Sequence, residues 1–516
     1  MNTIPLLTVL TLLPVPAGII ALSITRGKNL ARHCAFAVSL ISLGLVGYLW
    51  AAFDRSQGAM QFGERFAWVP SLGIDYYLGI DGLGLLMLAL TAIIVPFAML
   101  ASWKIGQDTR LYFALLLFLE AGLFGTFTAL NFFHWFIFWE LSLIPAFFLI
   151  KMWGGPKRTR AAFQFFVYTM AGSVAMLLAF LAIYAATGIS DFDRLADFAR
   201  HGGLTDALFQ KFGGGLINSK ETPAILVFTG VFLGFAVKVP VIPFHTWLPL
   251  AYAEAPTGTS MILTGVMSKM GVYGFLRILL PIFPVQMGAL QTPLLWLAVA
   301  TIVLSAGAAI VQTDLKRMVA YSSINHLGYC LLGVFAVVRL TGDDPAWTIE
   351  KAAALNGVML QMFNHGLTAS ALFYFVGLIS ARAGGLRGLG DFGGLRLAAP
   401  VFCGLMGVTL FASLGLPGLN GFVGEFLIFK GSLPLAFWAA TISTLGLLFT
   451  TIFLLTLLQR VFWGPLESRW TGWKDLTLGE RLTLTPVIAL MFVLGVCPQI
   501  LIGVVNPTVM RMLEQF

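Results

Sequence analysis

The chain has 516 residues, of which 58% are hydrophobic and only 10% charged, with a formal net charge of +8 and a mean hydropathy of +0.89. That leaves too little polar surface to cover a soluble domain of this size, and the positive charge is scattered over short connections, not gathered into a nucleic-acid patch. Runs of about 20 apolar residues recur without ten-residue alternating segments, which excludes a transmembrane barrel and leaves an all-α polytopic membrane protein.

The first run, MNTIPLLTVL onward, has no basic leader and no small-residue cleavage site, and reads as a retained span. Hydropathy gives about fourteen spans: 4–24, 31–53, 81–103, 111–130, 132–152, 161–186, 223–250, 257–280, 292–311, 317–339, 352–380, 398–430, 436–461 and 483–505. An even number puts both termini on one side. The odd-numbered connections carry about twice the lysine and arginine of the rest, which places them in the cytoplasm and both termini outside. The longest connections, 54–80 and 187–222, lie outside and are too short and irregular for catalytic domains. Cys34, Cys330, Cys403 and Cys497 lie far apart with no CxxC, which argues against metal clusters and disulfides.

Within the spans, ionisable residues follow in order. Glu120 sits mid-span in LFLEAGLFG. The aromatic run NFFHWFIFW (131–139) reads as a lipid-facing or packing surface, with His134 at the interface. Glu140, in FWELSLIP, is roughly 12 Å into its span. In FAVKVPVIPFHTWLP, Lys238 and His245 flank a proline break at Pro240 and Pro243. Lys269 lies in GVMSKMGVYG and His326 in YSSINHLGY, both deep in their spans, and His365 lies inside the next. Glu425 follows a second break at GLPGLNG, whereas Arg277 and Lys430 lie near span ends and are expected to snorkel.

A charge at bilayer centre costs several kcal/mol, so such groups pair or line a polar path. Acid and base alternate here along successive helices. A buried lysine holds its proton while a glutamate is near and can lose it when the glutamate withdraws. Histidine relays between them. Proline breaks add free backbone groups and room for water. This chemistry favours proton transfer, and the lysines repel metal cations. Static pairs in a membrane scaffold are the competing reading. The glycines of GLGDFG (Gly388, Gly390, Gly393) match a nucleotide-binding pattern but follow no strand.

AFQFFVYTMAGS (162–173) and MLQMFNHGLTAS (359–370) align at a constant offset, in spans six and eleven, and each precedes a broken span. Paired broken helices in matching positions point to a transport site at the junction of inverted repeats. The expected division is 1–110 with spans one to three, two inverted five-helix units at 111–280 and 290–465, and 466–516 with the last span.

The stretches FWELSLIPAFFLIKMWGG (138–155), PFHTWLPLAYAEAPTGTSMILTGVMSKMGVYGFLR (243–277), QTDLKRMVAYSSINHLGY (312–329) and PGLNGFVGEFLIFKGS (417–432) carry a resemblance. From about 75 to 465 the chain resembles the antiporter-like membrane subunits of respiratory complex I, the proton-translocating NADH–quinone oxidoreductase, and among them the subunit M (chain 4) type. Glutamate at 425, where sister subunits are expected to carry lysine, selects that type. The resemblance implies that Glu140 and Lys238 form a coupled pair, Lys269 and His326 a connecting relay, and Glu425 the terminal donor; His245, His365 and Glu120 are further candidates. It implies no flavin, iron–sulfur cluster or quinone in this chain, those cofactors lying in partner subunits. It further implies neighbouring antiporter-like subunits as partners and a bacterial plasma membrane, or another energy-coupling membrane, as the location. A cation/proton antiporter or membrane-bound hydrogenase built from the same module is the alternative. WLPLAY (247–252) departs from the family's WLPDAH, which bears on proton uptake at that loop and not on the central row.

Overall fold

The computed structural model describes residues 5–24, 28–214, 219–339 and 345–514. Thirteen helices among them are long and apolar enough to cross a membrane. They begin with α1 (Leu6–Ser23), α2 (Asn29–Ala52), α3 (Gly82–Ala101), α4 (Thr109–Thr128), α5 (Phe132–Trp153) and α6 (Arg158–Thr187). In an apolar medium every backbone N–H and C=O must be satisfied within its own segment, which makes helix the only open-chain solution. The caps are local: Asp81 accepts the Gly84 N–H at 3.0 Å, and Asn131 accepts that of Phe133 at 3.0 Å.

The connection 54–80 is not irregular. It forms an antiparallel hairpin of β1 (Gln61–Val69) and β2 (Ile74–Ile80). Glu64 on β1 accepts the backbone N–H groups of Leu7 and Thr8 at 2.7 and 2.9 Å, so the hairpin caps the start of the chain. The connection 187–222 likewise folds, into α7 (Phe192–Arg200) and α8 (Gly203–Phe212).

Span seven breaks as its prolines demand. Helix α9 (Glu221–Lys238) stops, the chain loops through Val239–Thr246, and α10 (Trp247–Glu254) resumes. The freed backbone groups find partners: Thr301 accepts the Ile242 N–H at 3.1 Å, Trp247 donates to the Val237 carbonyl at 3.0 Å, and Gln164 donates to that of Thr246 at 3.3 Å. Helix α11 (Thr257–Ile282) contains two wide π-turns, Leu263–Met267 and Phe275–Leu279, on either side of Lys269.

Next come α12 (Gln291–Ile310), α13 (Leu315–Ala336) and α14 (Pro345–Arg382), the last longer than the expected 352–380. Span twelve is interrupted between α15 (Pro400–Ser413) and α16 (Asn420–Leu435), and with this pair the count of crossings reaches fourteen. Two glycines make that turn: Gly415 has φ +73° and Gly418 φ +91°, backbone that L side chains rarely adopt. After α17 (Phe437–Phe462), the last crossing is divided into α18 (Leu478–Val496) and α19 (Gln499–Leu513), meeting at Cys497–Pro498.

Tight approach between α4 and α5 sets the position of Glu140. A Cβ at Gly122 would lie 2.7 Å from the Ser142 backbone nitrogen, so only glycine fits. Gly122→Ala is expected to push the two helices apart at a cost of about 1–3 kcal/mol. A lower thermal midpoint of the detergent-solubilised protein measures this, and an unchanged midpoint contradicts it.

Candidate functional site

Lys238 is the last residue of α9, where the ends of the helix carbonyls favour a cation. It is 3% exposed. Its Nζ sits 4.8 Å from the centre of the Trp139 ring, within cation–π range. Glu140, the next residue along α5, is the carboxylate that acts on Lys238 electrostatically, yet no ion pair joins them among the described residues. One Glu140 oxygen, Oε1, is buried without a hydrogen-bond partner.

Lys269 is fully buried on α11. Helices α9 and α11 touch at Gly271, where a Cβ would lie 3.1 Å from both the Phe235 carbonyl and the Val239 nitrogen. Lys269 Nζ lies 2.7 Å from His365 Nδ1 on α14 and also bonds the Thr264 carbonyl. That carbonyl lies in the π-turn just before the lysine, where the widened backbone brings it within reach. The His365 and His326 rings pack with centroids 5.1 Å apart. His326 Nδ1 is 3.0 Å from Glu425 Oε1, and its Nε2 is 3.2 Å from the Ser413 hydroxyl. Gln361 donates to the same Glu425 oxygen at 3.1 Å. Glu425 itself is packed against the break, since a Cβ at Gly415 would lie 2.9 Å from its Oε2.

The expected residues therefore fall into two groups, with two residues outside both. Lys269, His365, His326 and Glu425 form one buried series of contacts, with His365 between the lysine and His326. Glu140 and Lys238 form a second group at the first break. His245 and Glu120 join neither. His245 lies in the loop of the break, with its Nδ1 unpartnered and its ring 6.5 Å from that of Tyr321. Glu120 is fully buried with both oxygens unpartnered, and the polar group facing it is Ser42 on α2.

One sequence reading is corrected. Arg277 does not snorkel to headgroups: its side chain is 9% exposed and is ion-paired with Asp81, and its Nε donates to Tyr273 at 3.3 Å. Lys430 pairs with Glu350 at 2.9 Å. The sequence reading also missed Gln361, Ser413 and Trp139. Gln361 lies in the repeated MLQMFNHGLTAS stretch, so its signal was present as repetition. Among the described residues no group of three or more His, Cys, Asp or Glu side chains could hold a metal ion.

Residues 129–453 match the family described as NADH:quinone oxidoreductase/Mrp antiporter, transmembrane. NADH-quinone oxidoreductase subunit M of Rhodobacter capsulatus is 35% identical over 99% of this chain and 97% of its own length. F(420)H(2) dehydrogenase subunit M of Methanosarcina mazei is also 35% identical, over 96% and 95%. In respiratory complex I from Thermus thermophilus, a chain of 27% identity superposes with a TM-score of 0.83, covering 99% of both chains. A chain of the Mrp complex from Dietzia shares the fold, with a TM-score of 0.84 at 19% identity and coverage of 100% of this chain and 98% of that one.

Proposed function

This chain belongs to the NADH:quinone oxidoreductase/Mrp antiporter membrane family, and on that premise we propose a function for it. It is a membrane-arm subunit of a proton-translocating NADH–quinone oxidoreductase, of the subunit M type, and its neighbours are other membrane-arm subunits. Flavin, iron–sulfur clusters and quinone belong to partner subunits, where NADH is oxidised and quinone reduced. In this reading the chain lies in a bacterial plasma membrane, or another energy-coupling membrane, as the Rhodobacter relative suggests, and the lysine and arginine bias of its connections favours both termini on the outer face.

In this reading Glu140 and Lys238 load a proton at the first break, Lys269, His365 and His326 pass it along, and Glu425 releases it at the second. The observation that carries the reading is the buried series Lys269–His365–His326–Glu425, with polar contacts at both ends, Lys269 to His365 and His326 to Glu425, and the two imidazole rings packed against each other between them. Residues 111–280 and 290–465 serve as two inverted five-helix units, each supplying one broken helix.

A second reading, the same subunit in a complex fed by another reductant, has the Methanosarcina relative in its favour. One experiment addresses both. The complex is purified by a tag on this chain, its subunits are identified, and it is reconstituted into liposomes. NADH–quinone activity with proton uptake into the vesicles is the expected result. A complex lacking an NADH-oxidising subunit selects the second reading, and redox turnover without proton movement refutes both.

A further inference from the structure

The first break contains a feature that proton-carrying residues alone do not explain. Lys238 lies over an aromatic face and makes no ion pair with the carboxylate beside it. Trp139 is 1% exposed and held rigidly. Its indole N–H donates to the Ser173 hydroxyl on α6 at 3.0 Å, and its ring packs on Trp135 with centroids 4.8 Å apart and on Phe235 at 5.8 Å. Ser173 is also a neighbour of the Glu140 carboxylate. One indole thus presents its face to the ammonium while its edge orients a hydroxyl that faces the carboxylate.

We propose that Trp139 is a positioning residue for the Lys238–Glu140 pair, a docking face on which protonated Lys238 rests when it is not paired with Glu140. The proposal rests on the reading of that pair as proton-carrying. A ring face attracts the ammonium and not the neutral amine, so it holds lysine only while the lysine carries its proton. Trp139 and Glu140 are consecutive on α5, and Glu140 is the carboxylate that acts on Lys238, so the lysine moves between a ring and an acid held by one helix. The ring gives the withdrawn lysine a second site, and release of the proton ends the attraction.

The test uses the assembled complex in liposomes, with protons moved per electron measured across pH for Trp139→Phe, Trp139→Met and Lys238→Met. Glu140 is the ionisable group that faces Lys238. Phenylalanine keeps an aromatic face and should leave the profile near wild type. Methionine keeps apolar bulk without that face and should move the alkaline limb to lower pH by about one and a half units, the size of a desolvated cation–π contact. Packing damage alone would lower pumping at every pH without moving the limb. If Trp139→Met does not assemble, fluorinated tryptophan at 139, which weakens the face without changing its shape, gives the same readout. An unmoved limb, or equal shifts for Phe and Met, overturns the proposal while Lys238→Met is inactive. A fully pumping Lys238→Met overturns the underlying reading instead.

Discussion

Lys238→Met is expected to lower substrate-driven proton translocation by about a hundredfold or more, the scale of a positioned proton-transfer group, while the complex still assembles. Methionine matches the lysine's length and apolar stem, so the helix packing around the break survives. Lys238→Arg separates a relay from a static pair. Arginine keeps the positive charge but does not release its proton at any working pH, and its planar fork does not take the place of an ammonium. A relay therefore fails with arginine as it does with methionine, whereas a scaffold that needs only the charge is restored. Proton uptake into vesicles per electron transferred is the measurement, and wild-type pumping by Lys238→Met refutes the relay.

Arg277→Met is expected to be the most damaging single change to stability. Removing one partner of a buried pair leaves the other as an uncompensated charge, a loss of about 3–5 kcal/mol. Here the stranded group is Asp81, 2% exposed, which also caps α3. The double change Arg277→Met with Asp81→Asn removes the stranded charge and keeps a capping side chain. It should recover most of the assembled complex lost by the single variant, as read on native gels. If the single variant accumulates and melts like the wild type, the pair is not the fastening described.

Why the breaks were legible and other features were not follows from range. Proline and glycine act on their own backbone, so KVPVIP and GLPGLNG announce their interruptions locally. The hairpin did not: β1 reads QFGERFAWV, with most of its residues exposed or half-exposed, and its pairing is visible only against β2. Buried charges stand out in an apolar run, which made Glu140, Lys238, Lys269, His326 and Glu425 conspicuous. Their partners do not stand out. Arg277 meets Asp81 from 196 residues away, a contact no local pattern encodes. Trp139, read as part of a lipid-facing or packing surface, is on the packing side, buried beneath the lysine because α5 turns that face inward. The π-turns in α11 leave no compositional trace, yet they bring the Thr264 carbonyl to Lys269.

Thr301 holds the Ile242 N–H across the molecule. The loop that interrupts α9 is thus completed by a hydroxyl from α12, beyond the boundary between the two proposed five-helix units. Lys269 and His365 join the units again, as does the bond from the Ser370 hydroxyl to the Met261 carbonyl at 2.9 Å. The halves are therefore not autonomous modules. A chain split near residue 290 and expressed as two fragments would leave the first with an unfinished hinge and a lysine stripped of its imidazole partner. Function would return only on co-assembly, so the two proposed units depend on each other.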